Sequence, residues 1–287
     1  MPAAQAHKID AHPQVYCEMI NLHRAHDRRA HMKIELAQAG IEAEFHPAFD
    51  FKQSPMEVLQ QRTKAEGPWG PFHTPNRAVT ISHALAWERF LQTDASHCLI
   101  FEDDVFISPD LGEWMRDLSW WPEGADIVKF ENWRSNKLKV LLDTKGSDFL
   151  GRKVSRMLSR HMGAAAYMLS RDAAKNLLRT EPFDMVVDHI LFNINASRAA
   201  GAMRIYQVHP AMVEQGNEPP NGTIYMGQRI RPTGLALVRQ KLKRGYYELA
   251  YPLSTVWQAI TGSAKLVKVT FEPTVPTAPR PAQPDSE

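Results

Sequence analysis

Apolar residues fall along this chain in two rhythms. Short, nearly unbroken runs read as buried strands: VYCEMINL at 15–22, CLIF at 98–101, ADIVKF at 125–130, GAAAYML at 163–169 and MRIYQV at 203–208. Between them the spacing turns helical. Residues 23–40 set Met32, Ile34, Leu36 and Ala37 on one expected face and stop at Gly40. Residues 77–93 carry Ile81, Leu85, Ala86, Phe90 and Leu91, the pattern of a buried helix. Residues 41–49 read as a second strand, and 50–76 as one short helix followed by a Gly/Pro/Trp loop, a length that suits function or motion. Residues 109–118 predict a helix, Ser170 an N-cap for the helix after it, and 183–194 an apolar helix. Residues 132–160 are polar and basic, and read as a hairpin plus a loop.

Strand alternating with helix predicts an α/β fold: a mixed, mostly parallel sheet flanked by helices. The expected organisation is a flexible leader at 1–13, one main domain at 14–227, a basic amphipathic extension at 228–271 and a disordered Pro-rich tail at 272–287. In the extension, apolar residues alternate with Arg239, Lys241, Lys243 and Arg244, beside Tyr246 and Tyr247. Such a stretch suits an anionic membrane surface, or packs back onto the domain.

One strand ends abruptly in acid. The run HCLIFEDDVFISPD at 97–110 leaves its apolar core at Glu102, Asp103 and Asp104. Carboxyl ends of strands face the crevice where open α/β sheets bind ligands. Like charges about 6 Å apart repel by roughly 3 kcal/mol at an effective dielectric near 20. A divalent cation reverses that cost, and Mg²⁺ or Mn²⁺ prefers such oxygens. If the strand stays extended, Glu102 and Asp104 share one face. The bland alternative is a solvated acidic turn. After the first strand come Arg24, Arg28 and Arg29, which suit phosphate or a solvated helix face. His23, His26 and His31 have no metal-ligand spacing. Ser82 and His83 fall in the first turns of their helix and point toward the acids if the topology is βαβ, whereas a satisfied core histidine is equally ordinary.

Composition adds exclusions. At 44% hydrophobic, 23% charged and a net charge of +2, the 287 residues demand no nucleic-acid partner. The two cysteines, Cys17 and Cys98, lie in apolar runs and read as buried thiols, which suits a reducing compartment. The first residues lack a signal's apolar core, and no run approaches the roughly 18 residues of a membrane span. A cytoplasmic protein is expected, with peripheral contact at the inner membrane face as a further expectation.

Several blocks then line up in order: INLHRAHDRR, ISHALAWERF, LIFEDDV, DIVKF, GAAAYMLSRDAAKNLL, VVDHILF and IYQVHPAMVEQ. Together they resemble glycosyltransferase family 25 over about Val15–Gln215. The chain departs from that family's usual Gly-Tyr at Ala166–Tyr167, and from its usual Gly-Cys or Gly-Ala at Thr80–Ile81. The resemblance implies a GT-A-type fold and an inverting, metal-dependent enzyme. Its donor is a UDP-hexose, galactose foremost, and its acceptor a hydroxyl of a lipopolysaccharide or lipooligosaccharide or other lipid-linked saccharide. It implies Mn²⁺ or Mg²⁺ at Glu102 and Asp104, with Asp104 the first choice and His209 a looser analogy. It implies donor contacts from Asn21, Arg24, Arg28, Ser82, His83, Glu102 and Asp103. Inversion needs a base near the acceptor hydroxyl. Asp188 is preferred, then Glu131, then His189, although Asp188 also reads as an N-cap worth about 1 kcal/mol. The rival readings are a non-catalytic scaffold in polysaccharide assembly and a phosphoryl-transfer enzyme. No glycine-rich phosphate loop favours the second, and the retained acids disfavour the first.

Overall fold

The computed structural model describes residues 15–68, 70–133, 138–216, 233–249 and 253–275. The expected leader and the tail from 276 onward lie outside the described residues, as does Lys137 of the basic segment.

The chain opens with β1 (Val15–Asn21), α1 (His26–Ala39), β2 (Glu44–Pro47) and α2 (Met56–Arg62). A two-residue pair, β3 (Glu66–Gly67) and β4 (Gly70–Pro71), leads into α3 (Thr74–Leu91). Then come β5 (His97–Glu102), β6 (Val105–Ile107), α4 (Leu111–Arg116) and β7 (Ile127–Lys129). The basic region forms β8 (Val140–Asp143), β9 (Ser147–Phe149) and β10 (Arg152–Arg156). After it follow β11 (Ala166–Ser170), α5 (Arg171–Leu178), α6 (Val187–Phe192), α7 (Arg198–Ala202), β12 (Ile205–His209) and β13 (Val213–Gln215). The C-terminal part holds α8 (Gly234–Leu249), α9 (Leu253–Ile260) and β14 (Ala264–Val267).

Eight strands make the main sheet in the order β2-β1-β5-β11-β7-β12-β10-β9. β1 pairs in parallel with β2 and β5, and β7 with β12, whereas β11 and β10 run against their neighbours. The expected mixed α/β sheet flanked by helices is what forms. Period-2 alternation explains its two cores. Cys98 and Ile100 of β5 point to the side covered by α3, α5 and α6, whereas Leu99 and Phe101 meet α1 and α4. All four are fully buried, each side chain of this size contributing about 1.5–3 kcal/mol.

Local signals account for the helix ends. Gly40 takes φ 63° to close α1, a left-handed conformation that glycine adopts without penalty. Ser170 caps α5 by accepting from the Ala173 N–H. α3 begins three residues before the expected start, at Thr74, because Pro75 suits the first turn. Ser82 and His83 therefore sit in the middle of the helix and not in its first turns. α1 buries Met32, Leu36 and Ala39, while Ile34 is 57% exposed. Its working stripe is i, i+4, i+7, and the expected Ile34 and Ala37 lie off it.

The basic segment is more than a hairpin plus a loop. β9 and β10 extend the main sheet, and β8 pairs with β14. Arg152, one of the basic residues of this segment, is completely buried. Its guanidinium donates to the carbonyls of Pro210, Ala211 and Glu272 and to Ser108 and Asp110, so it ties three segments together.

Candidate active site

β1, β5, β7 and β12 all end at one edge of the sheet. Ile20 pairs with Glu102, and Lys129 with Gln207, so the chemistry-bearing ends of these strands lie side by side. β5 stops at Glu102 and the chain turns through Asp103 and Asp104 before β6. That turn separates the three acids by partner. Asp103 points back toward β1, where Asn21 Nδ2 and Arg28 Nη1 each donate to it at 2.7 Å. Asp103 is therefore held as an anchor between the first strand and α1. Arg28 also approaches Asp104 Oδ2 at 3.8 Å. Arg24 lies apart, paired with Asp50.

Glu102 and Asp104 converge on a residue that sequence reasoning missed. Gln215 Nε2 lies 3.2 and 3.3 Å from the two Asp104 oxygens and 3.5 Å from Glu102 Oε2. It is put there because β13 pairs with β6 in the register Gln215–Val105. Desolvation, then the charges of Asp103 and Asp188, push Glu102 up to about 7. Desolvation and then Glu102 push Asp104 up to about 6. Two carboxylates that burden each other suit a divalent cation. Among the described residues no three His, Cys, Asp or Glu side chains gather at metal-ligand spacing. A cation here would take two protein carboxylates and complete its shell from phosphate and water, the usual habit of Mg²⁺. His209 is not brought to these acids: its Nε2 lies 3.0 Å from Ser155 Oγ.

Behind Glu102 sits a buried polar chain. His83 Nε2 is 3.1 Å from Glu102 Oε1, His83 Nδ1 is 2.9 Å from Tyr167 Oη, and Trp87 Nε1 donates to that hydroxyl at 2.9 Å. Burial pushes His83 down to about 4. Ser82, its neighbour in sequence, does other work: its hydroxyl donates to Ala78 O and accepts from Phe49 N, fixing the loop after β2.

A second buried pair lies at the end of β7. Lys129 Nζ is 3.2 Å from Glu131 Oε2, and neither side chain is exposed. Lys129 also donates to the carbonyls of Met162 and Gly163, and Ala165 N donates to Glu131 Oε2. Desolvation pushes Glu131 up to about 7 against the pull of Lys129. The small-residue run now has a reason: a Cβ on Gly163 would fall 2.3 Å from Glu131 Oε1. Asp188, half-buried in the first turn of α6, acts electrostatically on His83, Glu102 and Lys129. It is not the cap. Val186 holds that position, and Asp188 Oδ1 accepts from the N–H of His189. His189 Nδ1 meets Asn193 Nδ2 at 2.9 Å.

These burials fix how stability follows pH. Glu102, Asp104 and Glu131 have folded pKa values above their ordinary ones, so the stability they give is full at low pH and lost as pH rises through about 6 to 7. His83 and His97, both pushed down to about 4, and His161 and His209, also lowered by burial, favour the unfolded chain once pH falls below 6.5, and together they outweigh the three carboxyls there. The metal-free protein is therefore expected to melt highest near about pH 6.5, roughly 3 °C above its value near pH 8. Thermal denaturation in chelator checks this, and a melting temperature at about pH 8 equal to or above that at about pH 6.5 would contradict it.

Residues 14–191 match the family described as Glycosyltransferase family 25 (LPS biosynthesis protein). The lipooligosaccharide biosynthesis protein lic2B of Haemophilus influenzae is 28% identical over 222 residues, 70% of this chain and 77% of the relative. The lacto-N-neotetraose biosynthesis glycosyltransferase LgtB of Neisseria gonorrhoeae is 28% identical over 217 residues, 69% of this chain and 73% of the relative. A solved glycosyltransferase involved in glycosylation of the major capsid of PBCV-1 overlays at TM-score 0.37 and 10% identity, over 81% of this chain and 100% of that one, a likeness too slight to argue from. With more than half of its length matched, including the acids that close β5, the chain belongs to glycosyltransferase family 25 and is a glycosyltransferase.

Proposed function

We propose that this enzyme moves a hexose, galactose foremost, from a UDP-sugar to a hydroxyl of a lipooligosaccharide or lipopolysaccharide acceptor, with inversion and with Mn²⁺ or Mg²⁺ held by Glu102 and Asp104. The observation that carries the reading is the convergence of those two carboxylates on one amide nitrogen at a strand's carboxyl end. A bound cation would offset the charge that gathers on the diphosphate as the sugar leaves. Arg28, already anchored by Asp103, sits where its guanidinium adds to that stabilisation. Asp188 takes the acceptor's proton: it is a half-buried acid in the first turn of α6, and its charge bears on Glu102 of the carboxylate pair. Glu131 is enclosed by Lys129 and Ala165 and holds the end of β7 in place.

A cavity of about 490 Å³ beside α6 supports an acceptor of anionic saccharide. Arg179, Arg198, Asp184 and Tyr247 line it, together with apolar Phe183 and Ile190. Membrane contact belongs to the same proposal. Among the described residues no helix is long and apolar enough to cross a membrane. Instead α8 exposes Leu235, Val238, Leu242 and Tyr246 along one side, and α9 exposes Val256, Trp257 and Ile260. Exposed Arg239, Lys241 and Lys243 accompany the first row, a pattern that suits an anionic bilayer surface. Sedimentation with vesicles is expected to carry the protein down with anionic lipid and not with phosphatidylcholine alone. Equal sedimentation with both would remove the electrostatic part of this reading.

Calorimetry with UDP-galactose, UDP-glucose and UDP, each with Mn²⁺ and after chelation, tests the proposal at its centre. Metal-dependent UDP binding is expected, with the tighter sugar naming the donor. Absence of nucleotide binding in either condition would end it.

A further inference from the structure

Trp87 has one polar atom and it is a donor only. Its Nε1–H lies 2.9 Å from Tyr167 Oη, in a core where neither residue is exposed. The Tyr167 oxygen therefore accepts from Trp87, and its own proton goes to its other polar neighbour, His83 Nδ1, at 2.9 Å. That nitrogen is the acceptor for the tyrosine proton, so it must be bare, and the hydrogen-bond geometry alone selects it. A neutral ring with a bare Nδ1 carries its proton on Nε2, the nitrogen 3.1 Å from Glu102 Oε1. A donor that cannot reverse thus sets the polarity of four groups in sequence.

We propose that Trp87 and Tyr167 are positioning residues for sugar transfer: they lock His83 in the tautomer that donates to Glu102 Oε1, and so turn Glu102 Oε2 toward Asp104 as a ready acceptor for a divalent cation. This rests on the reading that Glu102 and Asp104 hold the metal. The opposite tautomer would present a nitrogen lone pair to Glu102, and only a protonated carboxyl, a poor cation ligand, would answer it. Packing alone does not explain the tyrosine. Its ring meets His83 and Phe192 within an apolar cluster, where phenylalanine would fill the same space. The hydroxyl is the part that carries information. Outer partners of this kind orient first ligands elsewhere, and losing one typically costs 10–100-fold in metal affinity or activity.

The test measures Mn²⁺ binding to the full chain by electron paramagnetic resonance, without donor or acceptor, with melting temperatures recorded in parallel. Tyr167→Phe is expected to weaken Mn²⁺ binding about tenfold. His83→Gln places an amide donor near the Nε2 position without a tautomer to choose. In that background Tyr167→Phe is expected to have no further effect, a coupling that a packing defect would not produce. Equal loss from Tyr167→Phe in both backgrounds would overturn the proposal. So would wild-type binding by Tyr167→Phe while Asp104→Asn loses it, which leaves the metal reading standing. If neither substitution alters Mn²⁺ binding, the metal reading falls and the proposal falls with it.

Discussion

Replacing Asp104 with asparagine is expected to cut sugar transfer by about 10²–10³-fold while leaving the fold at least as stable, the range seen when one element of transition-state charge stabilisation is removed. Asparagine keeps the shape and an acceptor oxygen, so the contact from Gln215 survives. It removes a carboxylate that Glu102 and desolvation both burden, and the metal-free protein loses that repulsion. It also removes one of the two carboxylates proposed to hold the cation, which is where the rate loss is expected to arise. Steady-state transfer, Mn²⁺ affinity and a thermal melt on the same preparation separate these effects. A variant that binds Mn²⁺ and transfers sugar like the parent would end the role given to Asp104. A variant that merely unfolds would show Asp104 to be structural, as Asp103 is through Asn21 and Arg28.

Asp103 and Asp104 show what the sequence makes legible and where it stops. The acid cluster is local: an apolar run that ends in three carboxylates can be seen at β5 without knowing any partner. So can the helix that Gly40 terminates and the one that Ser170 starts. Which acid faces which partner depends on contacts made far along the chain. Gln215 reaches Glu102 and Asp104 across more than a hundred residues, and only the pairing of β13 with β6 brings it there. Tyr167 reads from sequence only as the tyrosine shared with the family's Gly-Tyr pair, the departure lying at Ala166. Its hydroxyl acquires meaning through Trp87 and His83, 80 and 84 residues away. Lys129 reads from sequence as the polar end of a strand, yet it is fully buried against Glu131. Arg152 misleads in the same way, because side-chain charge says nothing about the carbonyls that fold around it. His209 fails for a simpler reason: a late histidine is common, and its neighbour here is Ser155.

Asp188→Asn is expected to lower turnover by about 10²–10⁴-fold with donor affinity nearly unchanged, the loss typical of a missing general base. The two candidate acids differ in what surrounds them. Glu131 is sealed in: its side chain is unexposed, one oxygen is shared between Lys129 and Ala165, and the other faces the space that Gly163 leaves open. Glu131→Gln should therefore act on stability. It leaves Lys129 charged and buried without its partner, a type of loss worth about 3–5 kcal/mol. Asp188 is half-buried and free of the cap role, with one oxygen bonded to the following N–H. Its carboxylate bears electrostatically on Glu102 and Lys129, so removing it also makes Glu102 easier to ionise. A slower enzyme whose metal and donor bind normally is the signature expected of Asp188→Asn in calorimetry and steady-state kinetics. Turnover within tenfold of the parent would move the base elsewhere. Full activity loss in a well-folded Glu131→Gln would move it to Glu131, and would require the Lys129 side of the site to open when the acceptor binds.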